Sequence, residues 1–513
     1  MTFVSRHTGV VCSGISLMAL VLAAPAQAQT QQLDAITVLA TKTEEKAIDA
    51  LAPVSVLDQR AIQMIDPSRI NQLLYNIPGV NLQDRGDSAE SSINICGLQD
   101  FGRVAVVVDG ARQNYQRTGH NANGSFYLDP ELLAGLDIVR GPTANIYGSG
   151  AIGGVASFRT KDVDDILKPG EKAGTNVAVG LGTNTQRAMT SGFTAWRFNP
   201  NVEAMAGGVY RTQNDYYTGN AGITGVNNPV SQVGLVQNSA MNMSSGIAKV
   251  TLRPQDGHTV KIGGIFQNDL YDIGQPPKGT GTTNSGTSVY ASDVKNYQTN
   301  VRWLYSKPED RLFDWDANVY WNRTENNQTK IRHTSTLASA PCTTPGNQIS
   351  GCVGDPRGYT IDTFGTDIHN TSRADFGPWR SALTVGVDAF QDRVSTSDAS
   401  GNSNVTTPGG ERTVSGAFSQ LKLNYLTWLE VVGAVRFDNY SLSSGGDQLQ
   451  RQQIFTEDHS GRDAVCRLPA LCELCRGLSC SVDHRDIGFG RTCQHGARHG
   501  RSVQLPGWHR WRR

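Results

Sequence analysis

The sequence predicts an all-β transmembrane barrel preceded by a small α/β domain, and three observations predict it. From about Gly174 onward, long amphipathic strands alternate with tight turns and long polar connections. Only 38% of the residues are hydrophobic, and past the first 30 no apolar run reaches the ~18 residues that a membrane-spanning helix needs. The N-terminus reads as an export leader. Together these exclude a multi-helix membrane protein and leave a barrel, whose strands alternate apolar and polar residues and so dilute the average hydropathy. With 46 basic and 46 acidic residues the chain carries no basic footprint for a nucleic-acid partner.

Arg6 precedes an apolar segment from about Val10 to Leu22, and Ala26-Gln27-Ala28 supplies the small residues a signal peptidase requires, so residues 1–28 are expected to be cleaved after Ala28. The apolar segment is too short for a membrane anchor, and Cys12 lies at its start, where lipid attachment does not occur. A polar tail follows over 29–49. Within it Asp34, Ala35, Ile36, Thr37 and Val38 form a short β-branched run suited to adding a strand to a partner's exposed sheet edge; the first strand of a periplasmic domain is the alternative.

Residues 50–165 have α/β character. Pro53–Leu57 reads as a strand, and Ser68–Tyr75 as a helix closed by Pro78-Gly79. Val104–Val108 reads as a buried strand ending in the turn Asp109-Gly110, and Leu136–Val139 as another ended by Gly141-Pro142. Glycines at 148, 150, 153 and 154 allow positive φ and close backbone approach. They do not form a phosphate loop, because no Lys-Ser or Lys-Thr follows and the chain continues as a strand.

Residues 166–456 supply about 11 strands of membrane-crossing length, from Asn176–Leu181 to Leu429–Leu442. Trp196, Tyr210, Trp303, Tyr305, Trp315, Trp321 and Trp428, near strand ends, suit interfacial girdles, although a soluble β-sandwich also has aromatic strands.

Leu136–Thr160, LDIVRGPTANIYGSGAIGGVASFRT, resembles the end of the plug domain of a TonB-dependent outer-membrane receptor, and Asn94–Asn121 resembles the haem and haemoglobin receptors within that family. The resemblance covers roughly Leu33 to Thr456. It implies a plug domain inside an outer-membrane barrel of 22 antiparallel strands, of which half are present here. It also implies that Asp34–Val38 is the TonB box, that the partners are the TonB energising complex, haem or haemoglobin, and membrane lipid, and that haem is cargo with no intrinsic cofactor.

Two sites bear on function. His120 lies in the polar loop Arg117–Gly124, similar to the segment where haem receptors carry an axial histidine; imidazole binds haem iron well, whereas one histidine on its own specifies nothing. Tyr115 and Tyr127 are weaker candidates for iron or propionate contacts. Cys342 and Cys352 bracket a polar turn, and in an exported protein this spacing favours a disulfide worth roughly 2 to 3 kcal/mol in the chain-entropy model. No metal site is expected at that pair.

Residues 457–513 break the pattern, with ten Arg, no Lys, no Tyr and five of the nine cysteines. Cys472 and Cys475 have zinc-finger spacing without a second half, and an out-of-frame or foreign tail is the simpler expectation. The family's second axial histidine, between FRAP-like and NPNL-like motifs, is not found; Asn199-Pro200-Asn201-Val202 is a turn elsewhere. A terminal aromatic residue is missing, and Cys96 stands where the family has Arg. The expected function is haem uptake by a TonB-dependent receptor, with a ferric-siderophore receptor and an inactive fragment as alternatives. No catalytic triad or nucleotide loop supports an enzyme.

Overall fold

The computed structural model describes residues 52–460 apart from 83–88, 100–101, 116–123, 149, 185–186, 218–234, 237, 275–286, 335–351, 399–408, 427 and 445–446, together with the strands β1 (Ile36–Thr37) and β2 (Glu45–Lys46). The expected leader, most of the tail before residue 45 and all of 461–513 lie outside the described residues. β1 and β2 pair antiparallel with each other.

The N-terminal domain is built on two small sheets. β3 (Val54–Asp58) leads into the helix Gln59–Ile65, whose start is fixed by the Asp58 side chain accepting from the Ala61 amide at 2.8 Å. The one helix expected from the sequence, Ser68–Tyr75, is present as the shorter Ile70–Leu74. β4 (Val80–Leu82), β5 (Ile93–Ile95) and β6 (Leu98–Gln99) form one sheet. β7 (Val104–Val108), β8 (Ala111–Arg112), β9 (Leu133–Arg140) and β10 (Gly154–Thr160) join β3 in the other, in the order β3-β9-β10-β7-β8. β10 runs parallel to β7 and antiparallel to β9, so the apolar runs read from sequence, Val104–Val108 and Leu136–Val139, flank β10 on its two sides and are largely buried. Of the four glycines expected to reach positive φ, Gly148, Gly150 and Gly154 do and Gly153 does not. At Gly154 a Cβ would stand 2.2 Å from the Val139 carbonyl oxygen, a clash with main chain that no rotamer relieves.

The second unit is one antiparallel sheet of 12 strands, one more than expected. Its strands are β11 (Ala173–Leu181), β12 (Ala188–Asn199), β13 (Val202–Gln213), β16 (Met241–Leu252), β17 (His258–Ile273) and β18 (Thr287–Ser306). There follow β19 (Asp314–Thr334), β20 (Pro356–Phe376), β21 (Trp379–Asp398), β22 (Gly410–Tyr425), β23 (Leu429–Ser444) and β24 (Asp447–Ser460). The short pair β14 (Tyr216–Tyr217) and β15 (Leu235–Val236) stands apart. β24 is the strand that sequence patterning missed, and its ladder with β23 runs to Ser460, past the expected limit at Thr456. Each strand pairs with its neighbour, and among the described residues β11 and β24 are paired on one side only.

The two faces of this sheet are inverted relative to a soluble sandwich. On the outer face Val301, Trp303, Val319, Phe364, Ile368, Val385 and Val387 are exposed, whereas on the inner face Asn318, Asn322, Thr324, Asn326 and Gln328 are buried. Apolar side chains outward and polar ones inward is the pattern of a wall in lipid around a filled lumen. The end with short turns carries aromatic clusters: Trp303, Tyr305 and Trp315 with ring centroids 5.1–5.2 Å apart around Trp315, and Trp379, Tyr425 and Trp428 at 4.8–5.8 Å. Most of the expected girdle thus gathers at one rim. The α/β domain sits against the inner face, and one core runs from Leu133, Leu136 and Phe158 into Phe193, Met205, Val209, Ile247 and Ile265 of the wall.

Candidate functional site

The described residues on either side of 116–123, the segment that carries His120, are drawn together at a narrow neck. After β8 the chain reaches Tyr115, and the Ser125 amide donates back to the Tyr115 carbonyl at 2.9 Å; Phe126 then bonds with Ser91 in both directions at 2.9 and 3.0 Å. His120 itself lies outside the described residues.

Tyr115 and Tyr127 lie beneath that neck, 4% and 2% exposed, with ring centroids 5.8 Å apart edge to face. The Tyr127 hydroxyl is 3.3 Å from that of Tyr271, and the Asn296 side chain donates to the Tyr127 carbonyl at 3.2 Å. Around them close Met241, Met243, Tyr290, Tyr359 and Ile361. The Arg357 guanidinium stacks 3.5 Å over the Tyr290 ring. Burial, reinforced by Tyr271, raises the Tyr127 phenol well above its usual range. In this arrangement Tyr127 is a neutral packing and hydrogen-bonding group, and ligating iron would require it to lose a proton that its surroundings retain. A cavity of about 810 Å³ opens beside this cluster at the end of the long connections, lined by Asp215, Tyr271, Asp272, Gln328 and Arg357. The bed of aromatic and thioether groups suits a planar apolar ligand, and Arg357 suits its anionic edge.

Ion pairs fasten the domain to one side of the wall. The Asp129 carboxylate, fully buried, receives Arg211 at 3.2 Å and the Ser245 hydroxyl at 3.2 Å, while its own amide donates to Gln267 at 2.8 Å. Lys249 pairs with Asp109 at 3.0 Å and Lys261 with Asp162 at 2.6 Å. Burial alone would raise both of these carboxyls. Lys249 and Thr160 hold Asp109 below the usual carboxylate range, and Lys261 and Lys249 do the same for Asp162. Sequence reasoning missed every one of these partners, because each pair joins residues far apart in the chain.

Of the expected TonB-box residues only Ile36 and Thr37 are described, and they occupy the β1–β2 ladder. Cys352 is disulfide-bonded; Cys342 lies outside the described residues. Cys96 is an exposed free thiol at φ 52 in the β5–β6 turn, its amide donating to the Gly79 carbonyl at 2.8 Å. Among the described residues no group of three metal-ligating side chains gathers.

A small α/β domain seated on the polar inner face of a sheet whose outer face is apolar defines a plugged outer-membrane barrel. Residues 46–155 match the family model of the TonB-dependent receptor plug domain. The chain is 25% identical to a hemin receptor of Yersinia enterocolitica over 456 residues, 85% of this chain and 57% of that protein. It is 32% identical over 172 residues to the heme/hemopexin utilization protein C of Haemophilus influenzae, covering 33% of this chain and 22% of that one. In structure it is similar to the hemophore receptor HasR of Serratia marcescens, solved with its hemophore HasA and heme, with a TM-score of 0.64 at 22% identity over 79% of this chain and 59% of that chain. Residues 46–155 are thus a plug domain of the TonB-dependent receptor type, and the chain as a whole is similar to those receptors in sequence and fold. It spans little more than half the length of the Yersinia and Serratia proteins.

Proposed function

We propose that this chain serves the uptake of haem, free or delivered by a haem protein, across the outer membrane. The carrying observation is the buried collar of Tyr115, Tyr127, Tyr271, Tyr290 and Tyr359 with Met241 and Met243 beneath the neck of the loop that bears His120. A flat apolar ring rests on such a bed, Arg357 meets a propionate, and His120 supplies an imidazole to the iron. The names of the relatives support the same cargo. Residues 1–28 act as the export leader, Asp34–Val38 as the segment engaged by the TonB complex, and Cys342 as the partner of Cys352. The chain makes and breaks no covalent bond of its ligand.

Haemin titrated into the full chain is expected to shift and sharpen the haem absorption band with a stoichiometry of one, and His120→Ala to abolish the shift. A ferric siderophore that binds while haemin leaves the spectrum unchanged would overturn the assignment in favour of the siderophore reading.

A further inference from the structure

The short-turn end of the lumen holds a second cavity, which shares no lining residue with the one beside the tyrosine collar. It lies between Arg112 and Tyr147 of the plug and the inner face of β19, β20 and β21. Its volume of about 1550 Å³ exceeds the ~300–1,000 Å³ of a typical small-ligand pocket. Asp256 and Lys307, in the turns after β16 and β18, stand at its rim. Short turns of such a barrel face the periplasm, so the cavity is reached from that side.

Sheet register assembles one polar cluster on its wall. Across β19 and β20, Asn318 stands opposite Asp367 and Asp316 opposite His369. His369 Nδ1 is 3.1 Å from the Asp367 carboxylate, and the other ring nitrogen has no hydrogen-bond partner among the described residues. A carboxylate that accepts from Nδ1 fixes the tautomer in which Nε2 carries the lone pair, the arrangement in which proteins present imidazole to a metal. Asp316 is already engaged by the Arg302 guanidinium through both of its oxygens. Asn318 lines the cavity, is 4% exposed, and has no partner for its amide nitrogen or oxygen among the described residues. A buried amide in that state is costly unless a ligand pairs with it.

These groups decide which ligand fits. No three ligating side chains converge among the described residues, so a bare metal ion finds no cage here. Iron already held by porphyrin nitrogens needs only an axial donor. Tyr147, Tyr320 and Phe390 supply flat walls. Gly365 stands between Tyr320 and Phe390 in register, and a Cβ there would meet Tyr320 Cζ at 2.2 Å, so the ring lies across the strand. Arg380 of β21, nearer the mouth, has no ion-pair partner among the described residues and is suited to a carboxylate.

We propose that this cavity is a second haem station, entered from the short-turn side, in which His369 is the axial ligand, Asp367 its positioning residue, and Asn318 and Arg380 the polar contacts of the ligand's edge. It shares its cargo with the site at His120 and none of its residues, so the two readings stand or fall separately. A single protein donor in a wide cavity open to water makes it the weaker of the two, filled only after the outer site.

The test is a haemin titration of the full chain refolded in detergent, followed by absorption and carried well past the first equivalent. Beyond the sharp shift at one equivalent, a second spectral phase is expected at ~10-fold or higher free haemin. His120→Ala is expected to lose the shift at one equivalent and keep the second phase. His369→Ala is expected to do the reverse, its retained first shift reporting that the variant is folded. Asp367→Asn, which leaves the donor but not its orientation, is expected to raise the half-saturation of the second phase by roughly 10-fold. Absence of a second phase, or one that His369→Ala leaves unchanged, would overturn the proposal. A second phase that depends on His369 in a chain showing no first shift leaves this site standing and removes the outer one.

Discussion

Asp129 and Arg211 show what single residues contribute to holding a plug in place. Their side chains are 0% and 1% exposed, and the Asp129 carboxylate also caps the 3-10 turn Pro130–Leu132 by accepting from the Glu131 amide at 2.9 Å. Removing one member of such a pair leaves a buried, uncompensated charge, which costs about 3–5 kcal/mol, whereas removing both costs less. Arg211→Met is therefore expected to lower the urea midpoint of the full chain strongly, and Asp129→Asn with Arg211→Met to recover part of the loss. Equal midpoints for the single and double variants would show that the pair is not what stabilises the docking. Two further nitrogens of Arg211 have no partner among the described residues, which makes this pair a device for orientation more than for net stability.

At the scale of elements, the ends of β7 and β10 decide how the plug responds to acid. Asp109 follows β7, accepting from the Thr160 amide at 2.9 Å as well as pairing with Lys249, and Asp162 follows β10 and pairs with Lys261. Both carboxyls titrate below their ordinary range in the folded state. Their contribution is thus complete above the unfolded carboxylate pKa of about 4 and is lost as pH falls through the lower folded values. Plug docking, read by limited proteolysis, is expected to hold steady from pH 8 to 5 and to weaken below about pH 4, with the acid limb flattened in Lys249→Met, Lys261→Met. Weakening between pH 7 and 5 would assign the response to histidine instead.

The elements also show what the sequence makes legible. Val104–Val108 and Leu136–Val139 announce themselves as apolar runs ended by turn residues, and most barrel strands by alternation. β24, with Asp447, Gln448, Gln450, Arg451, Gln452 and Gln453 along it, has too little apolar alternation to be recognised, and takes its place by pairing with β23. The collar was half visible, since Tyr115 and Tyr127 flank the His120 loop in sequence. Tyr271, Tyr290 and Tyr359 join them only because sheet register turns those positions inward.

For the whole molecule, the decisive property is closure. Each edge amide exposed to hydrocarbon costs several kcal/mol, and a spanning sheet survives only when its first and last strands find partners. β11 is exposed along nearly its whole length, with Val177 and Val179 each 71% and Leu181 81% exposed. Residues 52–460 expressed behind an export leader are expected to be missing from the outer-membrane fraction and to migrate identically on gels whether boiled or not. A boiling-dependent shift would show that these twelve strands close, on themselves or with a second copy.

The clasp between Ser125 and Tyr115 reaches beyond the mechanics of docking. Because Tyr115 and Ser125 are held together by one main-chain hydrogen bond, a change in the length of the sequence between them is expected to leave the strands beneath unaltered. Doubling its length adds only about 0.6 kcal/mol of closure entropy. Sequence there is thereby free to vary while the fold below it stays constant, and exchanging residues 116–124 between related chains is expected to leave the urea midpoint within experimental error.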